Sequence, residues 1–367
     1  MGRSKERILG MSVSLIIVFG LIALFSASYQ NIRVAQNIFY DQLFFAGLGI
    51  GLLLFLRRFD YRRFTDAAYI FYGVNVALLL AVLLIGRHAL GARRWFEVAG
   101  VSFQPSELMK LSLIFLLARY WSGLRERFAY GARNPVQAFW RDLLFPFFLT
   151  AVPMFFVFKQ PDLGTSLLMF GIFFIMAYAA GVQKRHLSGF LGFCLAMIPV
   201  AWKFLKSYQK DRLLVFLNPN IDPLGAGYTI IQSKIAIGSG QIFGKGWLSG
   251  TQNQLNFLPE RHTDFIFSVI GEEWGLLGTW GLATLYFILI WNLFRLAEQT
   301  DAPLPRLLIT GIASIWALQV IINIGMVMGL FPIVGITLPL VSYGRTSFLM
   351  YLMTIGIVLN ICRKQTY

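Results

Sequence analysis

Apolar runs of bilayer-spanning length recur along this chain, near residues 8–28, 39–56, 66–86, 105–123, 143–158, 164–182, 187–205, 264–294, 305–330 and 343–362. A bilayer interior offers no water to backbone N–H and C=O groups, so such runs must satisfy them internally as helices. The residues are 57% hydrophobic and 13% charged, where a soluble domain carries about 25% charge. The reading is an all-α polytopic membrane protein of ten transmembrane helices. It is expected to be one membrane domain over residues 1–367, without a second soluble domain. The opening stretch has a basic start and small residues near Ser26-Ala27-Ser28. Its apolar run exceeds the core of a signal peptide, so it is expected to be an uncleaved first span.

Lys and Arg set the orientation. If the N-terminus is cytoplasmic, the inner connections hold Arg3, Lys5, Arg7, Arg57, Arg58, Arg62, Arg63, Lys184, Arg185, Arg295, Arg306, Arg363 and Lys364, among others. The short outer loops hold few. The bias puts both termini in the cytoplasm and leaves one long extracytoplasmic loop, 206–262, between helices 7 and 8. The formal charge of +15 is then an orientation signal and an attraction for anionic lipid, with Arg57–Arg63 as a basic collar. No aromatic-interleaved basic stripe points to nucleic acid. Residues 124–142 read as a polar inner loop with a short interfacial helix around Trp140. Cys194 and Cys362 lie in separate apolar runs and form neither a disulfide framework nor a metal site.

The stretch Gly238–Glu273 carries the densest polar chemistry. Its first half is Gly- and Gln-rich. Gly244-Lys245 tempts a phosphate-loop reading, but Gly246 follows the lysine and Ser239 stands where the first glycine belongs. Thr229–Ile237 mixes apolar and polar residues and reads as an amphipathic surface helix. Glu260-Arg261-His262-Thr263 then runs into Asp264, where the eighth helix is expected to begin. Ionisable groups at a membrane boundary mark a functional site by default. The plain structural alternative is that Thr263 or Asp264 caps this helix and suits its dipole. Glu272 and Glu273 follow inside the span and require partners, Lys110 or arginines of other helices being candidates.

Other outer segments add candidates. Glu107 and Lys110 are three apart in the first turns of the fourth helix and share a face. They read equally as a structural ion pair and as the lining of a polar cavity. The turn 159–166 carries the charged residues Lys159 and Asp162. The last outer loop, 331–347, is broken by Gly and Pro at membrane depth, which is tolerated where it lines a cavity.

Several of these segments together resemble one family. GARRWFEV and FQPSE at 91–107, QPDLGTS at 160–166, DPLGAGYTIIQSKIAIGSG at 222–240, GKGWLSGTQ at 244–252, FLPERHTDFIF at 257–267 and LPLVSYG at 338–344 are similar to the SEDS family (shape, elongation, division and sporulation), nearest its rod-shape branch. Two positions depart from its pattern: Arg345 stands where a glycine is usual, and Ser249 where a histidine is common. The resemblance implies a peptidoglycan glycosyltransferase of the bacterial cytoplasmic membrane, polymerising lipid II on the outer face during elongation. It also implies a class B penicillin-binding protein, a transpeptidase, as partner, alongside other elongation-complex membrane proteins.

For that chemistry Asp264 is the candidate general base. Glu107, Lys110, His262 and Thr263 would support a polar cavity. Arg94, Trp95, Lys159, Asp162, Arg212, Lys245, Arg261 and Ser342 are candidates for substrate and pyrophosphate binding. No particular cofactor is implied; a divalent cation, Mg²⁺ or Mn²⁺, is compatible with a pyrophosphate leaving group. Two other classes compete. A lipid II flippase would need a charged path through the membrane. A non-catalytic scaffold for a penicillin-binding protein would not need Asp264.

Overall fold

The computed structural model describes residues 2–29, 32–89, 92–98, 101–127, 135–205, 207–223 and 225–365. Its helices, in chain order, are α1 (Gly2–Ser28), α2 (Ile32–Arg58), α3 (Tyr61–Asp66), α4 (Ala68–Ile85), α5 (Pro105–Arg127), α6 (Pro135–Ala138), α7 (Phe145–Lys159), α8 (Leu163–Ala179), α9 (Lys184–Ala196), α10 (Ile198–Phe204), α11 (Ser207–Leu217), α12 (Ala226–Ser239), α13 (Thr251–Gln254), α14 (Ile266–Glu298), α15 (Pro303–Val327) and α16 (Arg345–Gln365). By length and composition, seven described helices can cross a membrane: α1, α2, α4, the α6–α7 segment, α14, α15 and α16.

The remaining expected spans differ for separate reasons. The α5 helix is long but carries Glu107, Lys110 and Arg119; it lies inside the bundle, where a helix faces protein rather than lipid and tolerates charge. The α8 helix has 17 residues. The run at 187–205 is split between α9 and α10 just before Pro199, whose missing N–H interrupts the helical ladder. Of the polar connection at 124–142, residues 128–134 lie outside the described residues. Around Trp140 the chain forms a π-helix, Phe139–Leu144, leading directly into α7.

The chain is not wholly helical. The strands β1 (Arg87–Ala89), β2 (Ala92–Val98) and β3 (Val101–Phe103) form an antiparallel sheet in the order β1-β2-β3. From the sequence only an outer loop is expected here; β1 and β3 are three residues each, too short for a period-two pattern to stand out. The sheet holds Arg94 and Trp95 over the start of α5.

The bundle core is formed by α15 and α16, which are buried over most of their length, with α5 and α8 against α15. In contrast α2 and α4 are mostly exposed on the outer surface of the bundle. Close approach of α2 to α16 uses glycines: a side chain at Gly49 would meet Leu352, and one at Gly356 would meet the backbone of Leu53. The stretch expected as a surface helix, Thr229–Ile237, lies within α12, which is wedged against α14 and α15. Ser233 is fully buried and donates to the Val327 carbonyl at 2.6 Å.

The long α14 helix is broken at Gly275, whose φ of 62° and ψ of −155° leave the helical region. The glycine-rich stretch fills the break. Lys245 N and Gly246 N donate to the freed carbonyls of Glu272 and Glu273, each at 3.0 Å. In return Leu276 N and Leu277 N donate to Gln241 and Ile242 carbonyls at 2.8 and 3.1 Å. The amides that a phosphate loop would offer to an anion are thus consumed inside the fold. A Cβ on Gly275 would stand 2.4 Å from Gly244 N. The Gly275→Ala change is therefore expected to cost about 3 kcal/mol or more, read as a lower thermal unfolding midpoint in detergent; an unchanged midpoint would contradict the spliced break.

Candidate active site

The boundary motif folds differently from a capped helix start. The helix begins at Ile266, its cap position is Phe265, and no side chain caps it. Thr263 instead turns its hydroxyl back to the Glu260 carbonyl and carboxylate, at 3.1 and 3.2 Å. Glu260, with φ of 49°, reverses the chain so that Thr263 N and Phe265 N both donate to its carbonyl. The capping alternative is therefore overturned for both residues. The Asp264 carboxylate faces a cavity.

Two segments hold residues 262–264 by their backbone. Asn323, fully buried on α15, donates to the Asp264 carbonyl at 2.9 Å and to the Ile336 carbonyl at 2.6 Å. Ser342 donates to the Thr263 carbonyl at 2.5 Å and accepts from Leu338 N at 2.7 Å. Tyr343 N donates to the His262 carbonyl at 2.9 Å. The last outer loop thus grips 262–264 from one side and α15 from the other. Gly335, with φ of 69°, lies beside the carboxylate.

The cavity has a volume of about 390 Å³ and opens between the sheet, α5, α11, α15 and the last outer loop. Among the residues named from sequence, Arg94, Trp95, Glu107, Lys110, Arg212, Thr263 and Asp264 line it. Burial pushes the Asp264 carboxyl up to about 7, aided by the charges of Glu260 and Asp162 and opposed by those of Arg94 and Arg212. Lys110 donates to Glu107 at 2.8 Å and to Gln319 at 3.0 Å, deep in the bundle. This pair is both a structural ion pair and a cavity wall. Arg212 is exposed at the rim, and its guanidinium reaches the Ile333 carbonyl at 3.5 Å.

Other candidates are engaged elsewhere. Lys245 pairs with the buried Glu272 at 2.7 Å, away from the cavity. That pairing also corrects the expected partners of the span acids: Glu272 takes Lys245 and Thr251, and Glu273 takes Ser26 at 2.6 Å, rather than Lys110 or arginines. Lys159 lies 5.4 Å over the Phe155 ring. Arg261 donates to the Ala27 carbonyl at 2.8 Å. His262 packs near Tyr343 and is held below its ordinary pKa by burial, opposed by the Glu260 charge and aided by that of Arg261. Asp162 caps α8 through Thr165 N and its hydroxyl, at 3.1 and 3.0 Å. Arg94 bridges to that turn, donating to the Gln160 and Pro161 carbonyls. Ser342 is committed to the backbone grip just described.

Glu260 of the boundary cluster lines the cavity too, and sequence reasoning missed Gln104, Gln319, Thr337, Tyr343, Arg345 and Thr346, which also line it. One signal was available: Gln319 and Asn323 are four apart in an otherwise apolar run, so they share one polar face of α15. Among the described residues no group of three or more His, Cys, Asp or Glu is placed to hold a metal ion.

A helical membrane bundle with a charged cavity at one end, a carboxylate at the mouth of a broken helix and a loop folded back over it defines a class of membrane-embedded protein with a polar site. Residues 6–367 match the family model for FtsW, RodA and SpoVE, described as cell cycle protein, and the chain belongs to that family. It is 37% identical over 347 residues to peptidoglycan glycosyltransferase MrdB of Escherichia coli K12, covering 94% of this chain and 90% of that protein. A solved peptidoglycan synthase complex that coordinates polymerization and crosslinking contains a chain matching with TM-score 0.81 and 34% identity, over 97% of each chain. The crystal structure of rod shape determining protein RodA of Thermus thermophilus matches with TM-score 0.71 and 32% identity, over 98% of this chain and 97% of that one.

Proposed function

We propose that this chain is a peptidoglycan glycosyltransferase that polymerises lipid II on the outer face of the bacterial cytoplasmic membrane during cell elongation. The observation that carries the reading is a carboxylate beside a charged cavity at one end of a helical bundle, in a chain whose relatives are named for this activity. The arrangement fits a ten-span topology with both termini cytoplasmic and 206–262 outside. A class B penicillin-binding protein is the expected partner, in line with the synthase complex to which the chain is similar.

In this reading Asp264 accepts the proton of the acceptor sugar 4-hydroxyl as that oxygen attacks the donor anomeric carbon. The bond from that carbon to the lipid pyrophosphate breaks, and the pyrophosphate leaves with the electron pair. It departs as a stable anion, so the step needs cations rather than a strong acid. Arg212 at the rim and Arg94 on the sheet supply that charge. Direct displacement at an α-linked donor yields a β-linked product. Trp95 offers an aromatic face to a sugar. Lys110, held by Glu107 and Gln319, sets the charge of the inner wall.

The test is polymer formation from purified lipid II by the chain with its transpeptidase partner, with a β-lactam blocking crosslinking. Polymer is expected. Lipid II crossing vesicles with no polymer would return the transport reading. The pH dependence follows from the raised carboxyl of Asp264. A base works only when deprotonated, so kcat is expected to fall about tenfold per unit as pH drops below about 7 and to level off above it. A profile flat down to about pH 5 would remove Asp264 from that role.

A further inference from the structure

The α2 helix, mostly exposed on the outside of the bundle, carries a single acid in its apolar sequence, Asp41. A carboxylate there is costly without partners. Its Oδ2 accepts from the Tyr343 hydroxyl and from Arg345 Nε, each at 2.8 Å. The Arg345 guanidinium also lies 5.6 Å over the ring of Phe45, one turn further along α2. Three-quarters of each charged side chain is shielded, with 22% of Arg345 and 24% of Asp41 exposed. Such a charge-assisted bond is stronger than one in water.

Both partners of Asp41 belong to the cavity wall. From them a short chain of bonds leads to the reacting carboxylate. Tyr343 N holds the His262 carbonyl, Ser342 holds the Thr263 carbonyl, and the next residue is Asp264. The α2 helix is therefore tied to the backbone that aims Asp264 through a few residues of the last outer loop. The glycine-mediated packing of α2 on α16 already secures the helix further along, so this cluster is not needed merely to attach it.

We propose that Asp41 is a positioning residue for glycosyl transfer: by holding Tyr343 and Arg345 it fixes the last outer loop and, through it, the aim of Asp264. This rests on the glycosyltransferase reading. Asp41 acts through other residues, so its loss disturbs the reacting geometry more than substrate binding. A displacement of about 1 Å at a reacting group lowers rates by as much as about a hundredfold.

The experiment compares the full chain, with its transpeptidase partner, as wild type, Asp41→Ala, Asp41→Glu and Tyr343→Phe in lipid II polymerisation. Asp41→Ala is expected to lower kcat about tenfold with KM changed less than about threefold. Its thermal unfolding midpoint in detergent should stay close to wild type, and Asp41→Glu should recover most of the rate. Tyr343→Phe deletes one hydroxyl and keeps the ring; it is expected to lower kcat in the same sense. Combined with Asp41→Ala it should add little, because both break the same tie. Unchanged kcat in Asp41→Ala, or a rate loss matched by a lower midpoint and not repaired by Asp41→Glu, overturns the proposal. If Asp41→Ala does not fold, Tyr343→Phe decides alone: wild-type kcat overturns it. A wild-type chain that makes no polymer fails the glycosyltransferase reading itself, a result distinct from polymer made equally by wild type and variant.

Discussion

Asp264→Asn is expected to reduce lipid II polymerisation about a thousandfold or more while leaving the chain folded and bound to its transpeptidase partner. Asparagine matches aspartate in shape but cannot take a proton, and general base catalysis contributes about 10²–10⁴-fold. The fold has no reason to suffer. The carboxylate does not cap α14, since the cap position is Phe265 with no side-chain bond. Its surroundings disfavour ionisation, the carboxyl being pushed up to about 7 by burial first. A carboxyl raised in the folded state contributes stability at low pH that is lost as pH rises through that value. The asparagine variant should therefore unfold no earlier than wild type, and relatively later as pH rises from about 4 to about 7, with no further change above that. Polymer on a gel beside a thermal melt checks both statements. Near-wild-type polymer from the variant would sink the assignment and send the search to Glu107 and Glu260, the other carboxylates of the cavity.

The second large effect is expected at the buried pair. Lys110 has 1% of its side chain exposed and meets Glu107 at 2.8 Å. Lys110→Met leaves the Glu107 charge buried with no cation beside it. Breaking one partner of such a pair costs about 3–5 kcal/mol, a large share of the stability of a typical domain. The single variant should express poorly and melt early. Replacing both, as Glu107→Gln with Lys110→Met, removes the stranded charge and should restore most of the midpoint, since neutral replacement of a buried pair is often tolerated. Polymerisation should not return, because the inner wall then has lost both charges. A stable, active Lys110→Met chain would show that the pair neither supports the bundle nor serves the cavity.

The contrast between Lys245 and Arg212 shows where sequence reasoning stops. Both are cations in the same long loop, and both were named as pyrophosphate partners on equal grounds. In the folded chain Lys245 is drawn to Glu272, fully buried behind the break in α14, while Arg212 stands at the cavity rim. The deciding fact is the fully buried carboxylate, which must be neutralised by whatever cation the fold brings to it. Ser342 followed the same course: a hydroxyl that reads as a ligand is used to hold a backbone carbonyl.

By itself the amino-acid sequence determined the membrane class, the helical character of the long runs, the absence of a working phosphate loop and the position of Asp264 at a polar boundary. These are local properties: hydropathy, helix period and motif spacing are written in consecutive residues. Tertiary structure alone decided that Asp264 is uncapped, that the glycine-rich stretch mends α14 at Gly275, that Gln319 and Lys110 share a wall, and that Asp41 meets Tyr343 and Arg345 from 302 and 304 residues away. Each of those depends on which buried charge or backbone group finds which partner. In a low-dielectric interior that pairing is compulsory, yet it is fixed by how the helices pack and not by their order along the chain.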